Sequence, residues 1–205
     1  MIGIVDYGLG NVQAISNIYS RLNIPAMAVR TPDELRRADR LILPGVGSFD
    51  WAMRKLNDSG MRPSLEDVVL AQKKPILGIC VGFQMMANSS EEGLLTGLGW
   101  INAVVRRFAG DAVGGRTLLP QMGWNDVVPA RAESMFADIE LPMRFYFLHS
   151  YYFEPARQED VLATTDYNGT YCSAARHGNV FGVQFHPEKS HKWGIDLLRN
   201  FAEIA

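Results

Sequence analysis

Three short stretches of this 205-residue chain carry side chains suited to nucleophilic chemistry. The first is Gly78-Ile79-Cys80-Val81-Gly82, a thiol between two glycines at the end of the apolar run that starts at Pro75. At the C-terminal end of a parallel strand the chain turns sharply into a helix. Glycines two places before and after the turn relieve the crowding of one backbone on the other. Such a turn lifts the sulfur above the sheet edge, where open α/β sheets bind their ligands. It also sets the thiol beside a helix N-terminus, whose N–H groups favour a thiolate and a developing oxyanion. This is the logic of a nucleophile elbow, with Cys where many hydrolases have Ser. A buried structural cysteine fits the stretch taken alone about as well.

A nucleophilic thiol needs a base within reach. Of His149, His177, His186 and His191, His186 is the best placed. It follows the apolar run Val180–Phe185, precedes Pro187 and has Glu188 two residues on. The proline ends the strand and holds the imidazole at the sheet edge. Glu188 can then accept from one ring nitrogen, fixing the tautomer and turning the other nitrogen towards Cys80. A satisfied strand-end histidine beside a solvated carboxylate is the plainer reading of that tripeptide alone. His186 and His191 lack the His-Glu-x-x-His spacing and have no cysteine nearby, so no metal site is expected.

The third stretch, Pro44-Gly45-Val46-Gly47, offers oxyanion donors. Its glycines free the backbone at Val46 and Gly47 to turn N–H groups towards a carbonyl oxygen, and the N–H of Val81 is the second donor expected at an elbow. An ordinary Pro-Gly turn has the same composition. Gly8-Leu9-Gly10-Asn11 resembles a dinucleotide fingerprint but has Gln13 where a third glycine belongs, so no such cofactor is expected.

These stretches need a sheet to bring them together. "IGIV", "AMAV", "RLILPGVG" and "PILGIC" read as short buried strands. Between them lie a helix from Val12 to Leu22 capped by Asn11, a short one opened by Thr31-Pro32, another after Phe49, one from Pro63 to Gln72 and one from about Gly82 to Ala87. That alternation predicts a mostly parallel sheet with helices on both faces. After Gly99 the texture becomes strand-like and turn-separated, in "WINAVVRRF", "WNDVV", "RFYFLHSYYF", "VLATTDY", "CSAARHG" and "VFGVQFH". An antiparallel or mixed half is expected there, closed by a helix from about Ser190 to Ile204. No linker or repeat divides the chain, so residues 1–205 are read as one domain.

Composition narrows the function classes. A net charge of −2 with no basic block argues against a nucleic-acid or membrane-surface partner. No apolar run reaches the roughly 18 residues of a membrane span, and the first residues carry no basic leader. Two cysteines, Cys80 and Cys172, make no disulfide framework, and a cytoplasmic location with reduced thiols is expected.

Taken together, "PGVGSFD", "GICVGFQ", "LPQMGWN", "YFLHSYYF" and "FGVQFHPEKS" resemble the class I, triad-type glutamine amidotransferases. More narrowly they resemble the glutaminase subunits of imidazole glycerol phosphate synthases, from "VDYGLGN" to "LLRNFA". The resemblance implies a three-layer, flavodoxin-like α/β fold with a mostly parallel central sheet and an added antiparallel part. It implies Cys80 as the nucleophile on the glutamine side-chain amide, His186 as base and then acid, and Glu188 as the group that orients His186. It assigns the oxyanion to the backbone at Val46, Gly47 and Val81. It gives Gln84, His149, Ser150 and Tyr151 the substrate's α-amino and α-carboxylate groups. It also implies a heterodimer with a (β/α)-barrel cyclase that receives ammonia, with Asn11, Trp124, Asn125 and Lys189 at the junction. From the residues alone, Trp124 reads equally as an interface anchor or a core tryptophan. The subfamily has histidine where this chain has Gln121. "HPEKSHKWG" and "GLGWI" lean towards a paralogous group whose partner amidinates a surface-polysaccharide sugar.

Overall fold

The first strand, β1 (Ile2–Val5), is apolar apart from one glycine and buried along its whole length, as a central parallel strand must be. The computed structural model describes residues 1–109, 111–112, 115–116, 118–132 and 134–204. After β1 come α1 (Val12–Arg21), β2 (Ala26–Val29), α2 (Pro32–Arg37), β3 (Arg40–Gly45), α3 (Phe49–Asp58), α4 (Arg62–Glu66), β4 (Ile76–Cys80) and α5 (Val81–Gln84). The second half holds β5 (Ser89–Ser90), β6 (Ala103–Arg107), β7 (Asp111–Ala112), β8 (Gly115–Arg116), β9 (Gln121–Asp126), β10 (Val128–Pro129), β11 (Arg144–His149), β12 (Tyr151–Pro155), β13 (Val161–Asp166), β14 (Thr170–His177), β15 (Val180–Val183) and α6 (His191–Glu203).

The main sheet runs β2-β1-β3-β4-β15-β14-β12-β6-β5, with β13 added on β14 and β10 on β13. Strands β2, β1, β3, β4 and β15 are mutually parallel, whereas β14 is antiparallel to β15. The path from β1 to β2 runs one way along the sheet and from β2 through β3 to β4 the other. Right-handed crossovers therefore put α1 on one face and α2, α3 and α4 on the opposite face. The contacts agree, since α1 packs with α6 and α2 with α4. The buried apolar residues of both halves form one continuous cluster.

Several local expectations need correction. Asn11 stands at the start of α1 but makes no cap; its amide is spent on Glu188 instead. Thr31 does cap α2, in a capping box with Glu34. The expected helix from Pro63 to Gln72 begins at Arg62 and widens at Asp67–Ala71 into a π turn, where the Gln72 N–H reaches the Asp67 carbonyl. The expected Gly82–Ala87 helix is the shorter α5. "RFYFLHSYYF" is not one strand. It breaks at Ser150, so that β11 joins β9 in a separate two-stranded ribbon while β12 joins β6 in the main sheet.

Candidate active site

Register brings the predicted stretches to one edge. Gly45 at the end of β3 lies opposite Cys80 at the end of β4, and Val183 of β15 lies opposite Ile79. The C-terminal ends of β3, β4 and β15 thus carry Val46-Gly47, Cys80 and His186 side by side. The two glycine pairs act where backbones meet. A Cβ on Gly82 would sit 1.9 Å from the Leu43 carbonyl oxygen, and one on Gly45 would sit 2.3 Å from the Gly82 nitrogen. Helix α5 therefore rests directly on β3, at a distance only glycine allows. Cys80 takes the strain of the turn with φ 55° and ψ −115°. Cys80 is held at the first turn of α5 and is 4 % exposed as a residue.

His186 follows β15 and is fixed from two sides. Its N–H donates to the Tyr146 carbonyl at 2.9 Å, and its own carbonyl accepts from the Ser190 hydroxyl at 2.6 Å. Nδ1–H donates to Glu188 Oε1 at 2.9 Å, and Cys80 is near enough to the ring to raise its pKa. The carboxylate is nearly sealed from solvent and takes a second hydrogen bond, 2.7 Å, from Asn11 Nδ2. Burial opposes an imidazolium at His186, but hydrogen bonds and charge from Cys80 and Glu188 overcome it and raise its pKa to about 10. Burial likewise opposes the Glu188 carboxylate, yet His186 and Asn11 hold its pKa below the ordinary value. The line from sulfur through imidazole to carboxylate can therefore store a proton on the ring and return it to a leaving group.

The pocket beside the sulfur is walled by Gly47, Cys80, Val81 and Gln84 on one side and by Leu148, His149, Ser150 and Tyr151 on the other, with Glu92 between. Val46 precedes this wall and is not part of it. Gln84 is buried, and its Nε2 donates to both the Tyr151 carbonyl and Gln184 Oε1, each at 3.0 Å. Both amide hydrogens are thereby used, so Oε1 is the atom Gln84 presents to a cationic N–H. Gln184 Nε2 in turn points at the Cys80 sulfur from 3.9 Å. Burial lowers the His149 pKa to about 4, against its bond to the Tyr151 carbonyl and with His186 adding to the fall, so the ring is neutral near pH 7.

Three residues of the site were not read from the sequence. Gln184 lies two positions before His186 and faces the same way, a signal that period-two spacing does contain. Tyr7 donates to the Pro44 carbonyl at 2.8 Å and so pins the segment before Gly45-Val46-Gly47. Glu92 enters the pocket wall from a loop and accepts the Phe49 N–H at 2.8 Å; burial raises its pKa. No local pattern marks Tyr7 or Glu92.

The four residues expected at a junction occupy different surroundings. Trp124 is 38 % exposed and stacks on His191 at 5.3 Å, which removes it from the core. It shares the outer face of the β9–β11 ribbon with Met122 and Leu148, both exposed. Lys189 reaches over the Tyr146 ring at 5.7 Å. Asn125 points to the other side of the ribbon and donates to the Asp166 carbonyl at 2.8 Å, and Asn11 is beside Glu188. No group of described residues has the makings of a metal site, and no described helix is long and apolar enough to cross a membrane.

The model of the family described as glutamine amidotransferase class-I matches residues 3–205. The chain is 53 % identical to the imidazole glycerol phosphate synthase subunit HisH of Bdellovibrio bacteriovorus over 204 residues, covering 100 % of both chains. It is 48 % identical to the protein of the same name from Leptospira interrogans, again over 100 % of both. Its fold is similar to that of a crystal structure described as a glutamine amidotransferase, with TM-score 0.74 at 22 % identity over 98 % of this chain and 97 % of that one.

Proposed function

We propose that this chain, which belongs to the class-I glutamine amidotransferase family, hydrolyses L-glutamine to glutamate and ammonia and passes the ammonia to a (β/α)-barrel cyclase. That partner makes imidazole glycerol phosphate and AICAR in histidine biosynthesis. The reading is supported by the names of the full-length relatives and, above all, by one observation: the Cys80 sulfur at the wall of a small pocket, beside an imidazole that is hydrogen-bonded to a buried carboxylate.

The geometry supports the following steps. His186 takes the Cys80 proton, and the sulfur adds to the side-chain amide carbon of glutamine. The resulting oxyanion is met by the N–H of Val81 and the backbone at Gly47, both at the pocket wall, and the Val46 backbone would have to turn in from outside it to join them. The carbon–nitrogen bond breaks as His186 protonates the departing nitrogen, leaving ammonia and a thioester. Water, deprotonated by His186, then attacks the thioester, and glutamate leaves with the sulfur reprotonated. Glu188 keeps the imidazole in the tautomer that faces Cys80. Glu92 and Gln84 Oε1 suit the substrate's α-ammonium, and Ser150 with the backbone of Tyr151 suits its carboxylate. No cofactor enters these steps.

Ammonia released into water protonates and ceases to be a nucleophile, so transfer within a heterodimer follows from the chemistry. The outer face of the β9–β11 ribbon is the docking surface this reading favours, because Leu148 belongs both to that face and to the pocket wall. Trp124 would anchor it, with Lys189 and Asn11 nearby, while Asn125 would reach the partner only from the ribbon's other side. The 205 residues act as one catalytic unit, consistent with their single core. The reading carries a cytoplasmic location, where the Cys80 thiol stays reduced.

The test is Cys80→Ala in the assembled complex. Glutamine-dependent synthesis should vanish while synthesis from added ammonium salts persists. A parallel loss of both rates would refute the division of labour.

A further inference from the structure

Behind the pocket wall, buried polar groups that the reaction steps do not use converge on His149, itself a wall residue. Gln121 and His149 face each other across the β9–β11 ribbon, on the side opposite Met122 and Leu148. Both are buried, and the Tyr171 hydroxyl sits between them, 2.9 Å from Gln121 Oε1 and 3.2 Å from His149 Nε2. The Gln121 Nε2 is sealed from solvent and has no partner among the described residues. The rings of Phe108 and Phe147 flank His149 at 5.4 and 5.6 Å.

Proton counting fixes the arrangement. The other ring nitrogen of His149, Nδ1, is 2.8 Å from the Tyr151 carbonyl, which can only accept. Nδ1 therefore carries the proton, and in a neutral ring Nε2 must accept. The one phenolic proton of Tyr171 goes to Nε2. Its oxygen can then accept, and turning the Gln121 amide over brings the otherwise idle Nε2–H to it, beside the buried Thr165 hydroxyl that also acts on Tyr171. The chain of donors runs from Gln121 to Tyr171, to His149, to the Tyr151 carbonyl. That carbonyl also accepts from Gln84, which continues to Gln184 and the Cys80 sulfur.

We propose that Gln121 and Tyr171 are positioning residues for the glutamine pocket, which lock His149 in the Nδ1–H tautomer and thereby hold the Ser150–Tyr151 wall and Gln84 in place. The inference rests on the glutaminase reading. Neither side chain lines the small pocket beside the sulfur. Their effect on glutamine is exerted through His149, and it falls on binding rather than on bond breaking.

The experiment compares Gln121→Leu, Gln121→His, Tyr171→Phe and the double variant Gln121→Leu/Tyr171→Phe with the parent chain. Glutamine hydrolysis is measured in the complex with the barrel cyclase, and histidine tautomers by nitrogen NMR on the isolated chain. Gln121→Leu and Tyr171→Phe should each raise KM for glutamine about tenfold, the worth of one buried hydrogen bond, with kcat within about twofold. The double variant should be no worse than Tyr171→Phe alone, since both break one chain. Gln121→His, which can still hydrogen-bond the phenol, should recover most of the loss. The NMR signature of a single Nδ1–H tautomer at His149 should become mixed in Tyr171→Phe. An unchanged KM, an unaltered tautomer, or equal defects in Gln121→Leu and Gln121→His would overturn the proposal. A parent complex without glutaminase activity would sink the functional reading instead, while the tautomer measurement still decides the role of Gln121 and Tyr171.

Discussion

Glu188 never meets the substrate in the proposed reaction, yet it sets the working range of His186. The folded His186 pKa of about 10 lies above the ordinary 6.5, so its stabilisation is fully present below pH 6.5 and is lost as pH rises towards 10. Glu188 is shifted the other way, below 4.5, so its contribution is present above pH 4.5 and is lost as pH falls through its folded value. Glu188→Gln removes the charge that helps hold the imidazolium. The alkaline limb of glutaminase activity should move to lower pH, because His186 loses the proton it must give to the departing nitrogen. The Tm of the variant should also fall less steeply between pH 6.5 and 10 than that of the parent. Titrating activity and Tm together checks this, and an unmoved alkaline limb would remove Glu188 from the proton path. Cys80, His186 and Glu188 were legible as residues because thiol, imidazole and carboxylate each stand beside a strand-ending glycine or proline. Their meeting, more than 100 residues apart in sequence, was not legible from spacing alone.

At the scale of elements, the elbow depends on how closely α5 approaches β3. Gly82 and Gly45 allow the contact, and Gly78 does the same against Phe83, whose Cα would lie 2.7 Å from an added Cβ. Gly82→Ala pushes a methyl into the Leu43 carbonyl, and backbone on either side must shift. A loss of about 2–3 kcal/mol is expected, the usual cost of overpacking. Calorimetry should read it as a Tm lower by roughly 5–10 °C for a chain of this size. Wild-type stability with wild-type activity would show that α5 can move freely, against the elbow reading. The parallel half was legible because "IGIV", "RLILPG" and "PILGIC" are short, apolar and bounded by turn residues. The break at Ser150 was not, because "RFYFLHSYYF" alternates without a proline or glycine. Only the pairing of its halves, β11 with β9 and β12 with β6, splits it.

For the whole molecule, the ribbon is the element that joins outside to inside. Its outer face exposes Met122, Trp124 and Leu148, and its inner side carries Gln121 and His149. Trp124 stacks on His191 and meets Trp193 at 6.2 Å, so it is already oriented before any partner arrives. An aromatic anchor of this kind is worth about 2 kcal/mol when covered centrally. Trp124→Ala should therefore weaken binding of the proposed barrel cyclase by roughly 30-fold in titration calorimetry. Its effect on the isolated chain's Tm should be small, since the ring is already partly in water. Unchanged affinity would move the interface elsewhere on the surface.

The sequence by itself singled out the thiol, the imidazole and the carboxylate that the fold brings to one edge, and the parallel half of the sheet. Each of these is written in a local pattern: a glycine-flanked thiol, a His-Pro-Glu strand end, an apolar run closed by a turn. Tertiary structure alone decided that Asn11 serves Glu188 rather than capping its helix, that Glu92 enters the pocket wall, and that Gln121 reaches His149 through Tyr171. The reason is physical. A buried hydrogen bond is chosen by which donors and acceptors the folded backbone brings within about 3 Å, and no spacing along the chain encodes that distance.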